Sequence, residues 1–144
     1  MNECQKRNGV GVESMSSPVL SRPSLFETLE NVKEKVDFQA FEKSLPNGKT
    51  YIDPLIEEIC LVIAEVFIRP RGRVMRIRGQ EIEVGIVQEV YSKLDHERVE
   101  LVAENFRKQT QTIRNKSAYL QTALYNSVFE LHSHYTNLVA HDLH

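Results

Sequence analysis

The chain has no apolar run long enough to cross a membrane. The longest candidate, Leu55 to Ile68, is interrupted by Glu57, Glu58 and Glu65, whereas a span needs about 20 predominantly apolar residues. Residues Met1 to Arg22 contain no apolar core of the kind a secretory signal carries, so a soluble, cytoplasmic protein is the expectation. Cysteine is scarce. Cys4 falls in a polar tail and Cys60 in the middle of an apolar helical stretch, a placement that suits two reduced thiols better than a disulfide. Missing too are a phosphate-binding glycine-rich loop, a nucleophile elbow and a zinc-hydrolase helix motif, so catalysis has no support in the sequence and no cofactor is expected. Four of the five histidines, His132, His134, His141 and His144, gather near the C-terminus with Asp142. His132 and His134 are two apart and so do not share a helix face, and no cysteine or acid stands at ligand spacing from them, which argues against a metal site. Glu57-Glu58 and the trio Glu97, Glu100 and Glu104 read as solvated helix faces.

What is present suits one domain plus a tail: 144 residues, 41% hydrophobic and 26% charged. The formal net charge of −2 hides an asymmetry. Residues 1–68 carry 7 Lys+Arg against 11 Asp+Glu, residues 69–121 carry 11 against 7, and residues 122–144 carry 0 against 2. The basic part is therefore the middle of the chain.

Residues 1–23 are rich in Gly, Ser, Asn and Pro without hydrophobic periodicity, which predicts a disordered leader ahead of a helical domain over 24–144. Ser24 and Glu27 form a capping-box pattern, and Leu25, Leu29, Val32 and Val36 follow helical spacing. Asp37 to Tyr51, with the turn signal Pro46-Asn47-Gly48, reads as a short helix followed by a loop. The clearest helix start is Asp53-Pro54, from which Leu55, Ile56, Ile59, Val62, Ile63, Val66 and Phe67 recur on one face until Arg69-Pro70 ends the run. Val74 to Val84 has strand character. A Gly79-Gln80 turn would place Arg78 opposite Glu81, Ile77 opposite Ile82, Arg76 opposite Glu83 and Met75 opposite Val84, giving one apolar and one charged face. Beyond it, Ile86 to Leu94 form a short amphipathic helix, and Asp95 caps another that buries Val99, Val102, Ala103 and Phe106. After a loop at Thr110 to Asn115, one helix starts near Lys116 and a last one carries Val128 to Val139. The expected fold is mainly α, about five to six helices with one short β-hairpin near residues 74–84.

Two basic clusters are the candidate binding features. Arg69, Arg71, Arg73, Arg76 and Arg78 put five guanidinium groups into ten residues with no acid among them, suited to phosphates or an acidic protein face. The competing account pairs Arg76 and Arg78 with Glu81 and Glu83 and leaves the rest solvated. Arg107, Lys108, Arg114, Asn115 and Lys116 form the second cluster, just before Tyr119, whose ring could stack on a base or anchor a partner helix. The plainer account makes Tyr119 a partly buried core residue and Asn115 a helix cap.

Val74 to Val84, the stretch SKLDHERVELVAENFRKQTQTIRNKSAYLQTALYN and the ending SHYTNLVAHDL resemble the C-terminal domain of replication initiator protein A from plasmids and integrative elements of Gram-positive bacteria. The likeness runs from about Val32 to Leu143. Its most specific part is Ile113-Arg114-Asn115 with Ala118-Tyr119-Leu120, Leu124-Tyr125-Asn126, Tyr135 and His141-Asp142. The resemblance implies a DnaD-like helical domain that recruits host replication proteins, primase or another primosome component, and that touches DNA through a helix and tail near its C-terminus. Carried onto this chain, that segment is Arg107 to Tyr119. One departure is that Ser127-Val128 follow Tyr125-Asn126 where a small Ala-Pro pair is expected, which would let the last helix continue through. Complete initiators of this type also carry an N-terminal winged helix that has no counterpart here, so a remnant, a separately encoded domain, an accessory protein and a fragment all stay open. The competing function class is a dimerisation or protein-interaction domain without nucleic-acid contact.

Overall fold

A computed structural model of the protein describes residues 24–142, with side-chain surroundings for residues 24–130. The expected leader, Cys4 and His144 lie outside the described residues, as do the side chains of His132, His134 and His141. Helix α1 (Leu25–Lys35) starts at the anticipated capping box, in which Ser24 and Glu27 exchange side-chain-to-backbone bonds at 3.1 Å each. Asp37 then turns the chain with φ 56°, a left-handed conformation that Asp tolerates. The 3₁₀ turn Phe38–Phe41 follows.

The next stretch is not a plain loop. Strands β1 (Lys43–Ser44) and β2 (Thr50–Tyr51) pair antiparallel around Pro46-Asn47-Gly48. Each is two residues long and wholly exposed, so neither carries the alternation of apolar and polar residues by which a strand is recognised.

Helix α2 (Pro54–Phe67) begins where Asp53 Oδ1 accepts from Leu55 N at 2.8 Å, with Pro54 in the first turn. It is the centre of the molecule. Leu55, Ile56, Ile59, Cys60, Val62, Ile63, Ala64 and Val66 are all buried, and helices α1, α3, α4 and α5 pack around them. Each of the Leu, Ile and Val side chains among them contributes about 1.5 to 3 kcal/mol of burial, so α2 is held by tertiary packing rather than by propensity.

Strands β3 (Val74–Ile77) and β4 (Gln80–Glu83) form the expected hairpin in a different register: Ile77 faces Gln80, Arg76 Glu81, Met75 Ile82 and Val74 Glu83. The two-residue turn is Arg78-Gly79, not Gly79-Gln80. Both turn residues have positive φ, 56° and 77°, the requirement of the turn type whose twist matches that of the strands. Moving the turn by one residue shifts each cross-strand partner by two, which preserves the faces: Met75 and Ile77 are buried while Val74 and Arg76 are exposed.

Helices α3 (Val84–Tyr91) and α4 (His96–Arg107) complete the shell, α4 being capped by Asp95, which accepts from Arg98 N at 3.0 Å. The last two expected helices are one, α5 (Lys116–Asp142). No Gly or Pro interrupts that stretch, and Ser127 is absorbed because its hydroxyl donates back to Leu124 O at 2.7 Å. Leu120, Leu124, Tyr125 and Val128 of α5 join the core. The buried Tyr91 hydroxyl donates to Gln121 O at 2.7 Å and so ties α3 to α5. Among the described residues five helices and two small antiparallel hairpins make a mainly α domain.

Candidate functional site

All five arginines of the first cluster are exposed, and none forms an ion pair among the described residues. Arg76 sits across from Glu81 in the ladder, yet the pairing of Arg76 and Arg78 with Glu81 and Glu83 that the competing account requires is not formed among the described residues. Arg78 instead lies over the Tyr125 ring, its Cζ 5.7 Å from the centroid, and its backbone N–H donates to Thr122 Oγ1 at 3.3 Å. The hairpin tip is thus laid against the N-terminal half of α5. Arg69, Arg71 and Arg73 leave the turn between α2 and β3. Arg73 N donates to Pro70 O at 3.2 Å, and Arg73 O accepts from Val84 N at 2.8 Å. The buried Gln88 closes the other side, its Nε2 donating to Val66 O, Phe67 O and Arg69 O at 3.0, 3.2 and 3.0 Å. Gln88 therefore caps the C-terminal end of α2, supplying a donor to carbonyls that a helix end leaves unpaired.

The second cluster is partly neutralised. Arg107 pairs with Asp53, the N-cap of α2, and Lys116 pairs with Glu58 at 2.7 Å while standing 5.3 Å over the Phe106 ring. With its amide bond from Leu55 and the Arg107 guanidinium beside it, Asp53 holds its carboxyl below the ordinary 3.8. Asn115 is a helix cap, as the plainer account has it, accepting from Ala118 N at 3.0 Å. Tyr119 is partly buried, edge-on to Phe106 at 5.8 Å between centroids, and its hydroxyl is 3.4 Å from Gln109 Nε2. Lys108 and Arg114 are exposed, with no ion pair among the described residues.

The two clusters do not form one continuous face. Arg107 and Lys116 meet the N-terminal turns of α2, while Arg69 follows its C-cap, Ile68. Sixteen residues separate Asp53 from Arg69, about 24 Å along a helix rising about 1.5 Å per residue. Arg78 lies beside α5, against Thr122 and Tyr125.

Sequence reasoning missed Gln88, a polar residue in line with the apolar Val84, Val87 and Tyr91 of α3, and the α5 surface beside the hairpin. There Phe129 is 52% exposed next to Tyr125, with ring centroids 5.6 Å apart. A groove of about 340 Å³ runs past them, lined also by Arg78, Asn126 and Glu130. A second groove, of about 250 Å³, lies between α4 and α5 and includes Asn105, Tyr119 and Asn126. Among the described residues no group of three or more His, Cys, Asp or Glu could hold a metal ion, and no helix is long and apolar enough to cross a membrane.

Fold and site together define a small helical domain with basic stations on its surface. The chain belongs to the family described as a family of unknown function, DUF6017, which matches residues 9–144. No curated protein and no solved structure matches it.

Proposed function

We propose that the chain is a non-enzymatic interaction module in the initiation of DNA replication, one that recruits a host replication protein of the primosome or primase type and contacts DNA through its basic surface. The observation that carries this reading is the set of exposed arginines from Arg69 to Arg78, presented by a tied turn and a hairpin with no carboxylate paired to them among the described residues. Uncompensated guanidinium groups on a fixed frame suit a polyanion, because little ordering remains to be done on binding. The resemblance of Val74 to Val84, Ser92 to Asn126 and Ser133 to Leu143 to plasmid initiator C-terminal domains supplies the replication context. Contact with both stations requires a ligand spanning about 24 Å, roughly seven phosphate steps of one strand at about 3.4 Å each.

The test is fluorescence anisotropy of labelled single-stranded and duplex DNA titrated with the full chain at low and moderate salt. Saturable binding that weakens steeply with salt is expected, and Arg114→Ala should weaken it for all sequences alike and lower the salt slope by about one. Absence of binding at low salt would remove DNA from the mechanism. The exposed Phe129 ring favours a second reading, a protein-docking or dimerisation domain without nucleic acid. Light scattering across a dilution series tests self-association, which a constant monomer mass would exclude.

A further inference from the structure

Among the described residues Arg71 differs from the other arginines of the cluster in that its guanidinium donates a hydrogen bond. A Cβ placed on Gly85 would stand 3.1 Å from Arg71 Nη2 and 3.4 Å from both Cζ and Nε, so the planar group lies over the one residue of α3 that has no side chain. Its Nη1 also donates to Gln88 Oε1 across a long 3.5 Å bond. Gln88 is in turn anchored by its bonds to Val66, Phe67 and Arg69 carbonyls. Arg69 and Arg73 flank Arg71 on a turn tied at Pro70 and at Val84. The remaining N–H groups of Arg71 have no partner among the described residues. An exposed arginine ordinarily loses rotamer freedom when it binds, at about 0.5 to 1.5 kcal/mol per side chain. Here part of that ordering precedes the ligand.

We infer that the Arg69–Arg73 turn is a binding site for a phosphodiester group of a nucleic-acid backbone, with Gly85 and Gln88 as the positioning residues that aim Arg71. The inference rests on the reading proposed above and deepens it by naming the ligand group and the residues behind the contact. A guanidinium fork matches two oxygens of one phosphate. A phosphodiester chain also repeats that group at regular spacing, reaching from this turn toward the Arg107–Lys116 station.

Gly85→Ala isolates the effect. The three atoms closest to the added methyl all belong to the Arg71 guanidinium, the movable end of a flexible side chain, and alanine favours a helix over glycine by about 0.5 to 1 kcal/mol. The full chain and its Gly85→Ala, Arg71→Ala and doubly substituted variants would be titrated into labelled oligonucleotide at several salt concentrations, with melting temperatures measured alongside. Arg71→Ala should weaken binding about tenfold or more, the loss of one charge-assisted contact, and lower the salt slope by about one. Gly85→Ala should weaken binding without lowering the melting temperature, and the double variant should bind no worse than Arg71→Ala alone. Wild-type affinity in Gly85→Ala beside weakened Arg71→Ala would overturn the positioning roles. Silence of both variants while the wild type binds would overturn the site and leave the proposed function standing. Failure of the wild type to bind would overturn both, and displacement of the oligonucleotide by polyglutamate at equal charge concentration would assign the turn to an acidic protein instead.

Discussion

Replacing Gln88 by methionine removes the donor that caps α2 and leaves the apolar volume nearly unchanged. The two protons on Nε2 serve three carbonyls at 3.0 to 3.2 Å. Val66 O keeps other partners in Ile68 N and Arg69 N, and Arg69 is exposed enough for water to reach its carbonyl. The loss therefore falls mainly on the half-buried Phe67 carbonyl, with smaller contributions from the other two. An unsatisfied buried acceptor costs about 1 to 3 kcal/mol, which for a domain of this size lowers the melting temperature by roughly 4 to 12 °C. Thermal unfolding followed by far-ultraviolet circular dichroism measures the shift, and urea unfolding with an unchanged slope would assign it to native-state stability. Gln39→Met, at an exposed glutamine, is the control and should stay within about 0.5 kcal/mol of wild type. A Gln88→Met melting temperature equal to that of the control would refute the capping role.

Asp53→Ala should cost about 0.5 to 2 kcal/mol at neutral pH through loss of the α2 N-cap. The folded-state carboxyl lies below 3.8, chiefly because of the Leu55 amide with the Arg107 contact adding to it. Its contribution is therefore present above about pH 4 and lost as the pH falls through the folded value. Stability measured against pH should show the wild type and the variant converging in acid; a constant gap would contradict this. Burial pushes the Cys60 thiol up to about 11, so in a Cys4→Ser background at mildly alkaline pH a thiol reagent should label it only as fast as the chain opens. Rapid labelling of the native protein would show that the α2 interior is accessible. Arg78→Asn should raise stability by a few tenths to about 1 kcal/mol, because asparagine accepts the left-handed conformation that Arg78 adopts at φ 56°. A lower melting temperature would mean that the contact of Arg78 with Tyr125 outweighs the backbone gain.

Much of the architecture was written locally. Ser24 with Glu27, Asp53 with Pro54, and Asp95 each mark a helix start that the backbone obeys, because a cap depends on residues only a few positions apart. The apolar stripe of α2 and the faces of the β3–β4 hairpin were equally legible, since burial follows a period of 3.6 or 2 that the residues display. The hairpin's register was not. Two adjacent turn choices preserve the same faces, and the choice between them lies with backbone dihedrals and with the seat that Thr122 and Tyr125 of α5 provide for Arg78.

The candidate site divides along the same line. Composition alone located the basic stretch from Arg69 to Arg78 and the cluster from Arg107 to Lys116, because charge density is a property of the chain itself. Only the folded molecule decided that these stand at opposite ends of α2, that Arg107 and Lys116 are paired with Asp53 and Glu58, and that Arg71 rests on Gly85 and Gln88. Residue type and spacing set what a segment can form locally, whereas partners 14 to 58 positions apart in the chain meet only when the core around α2 closes and brings them together.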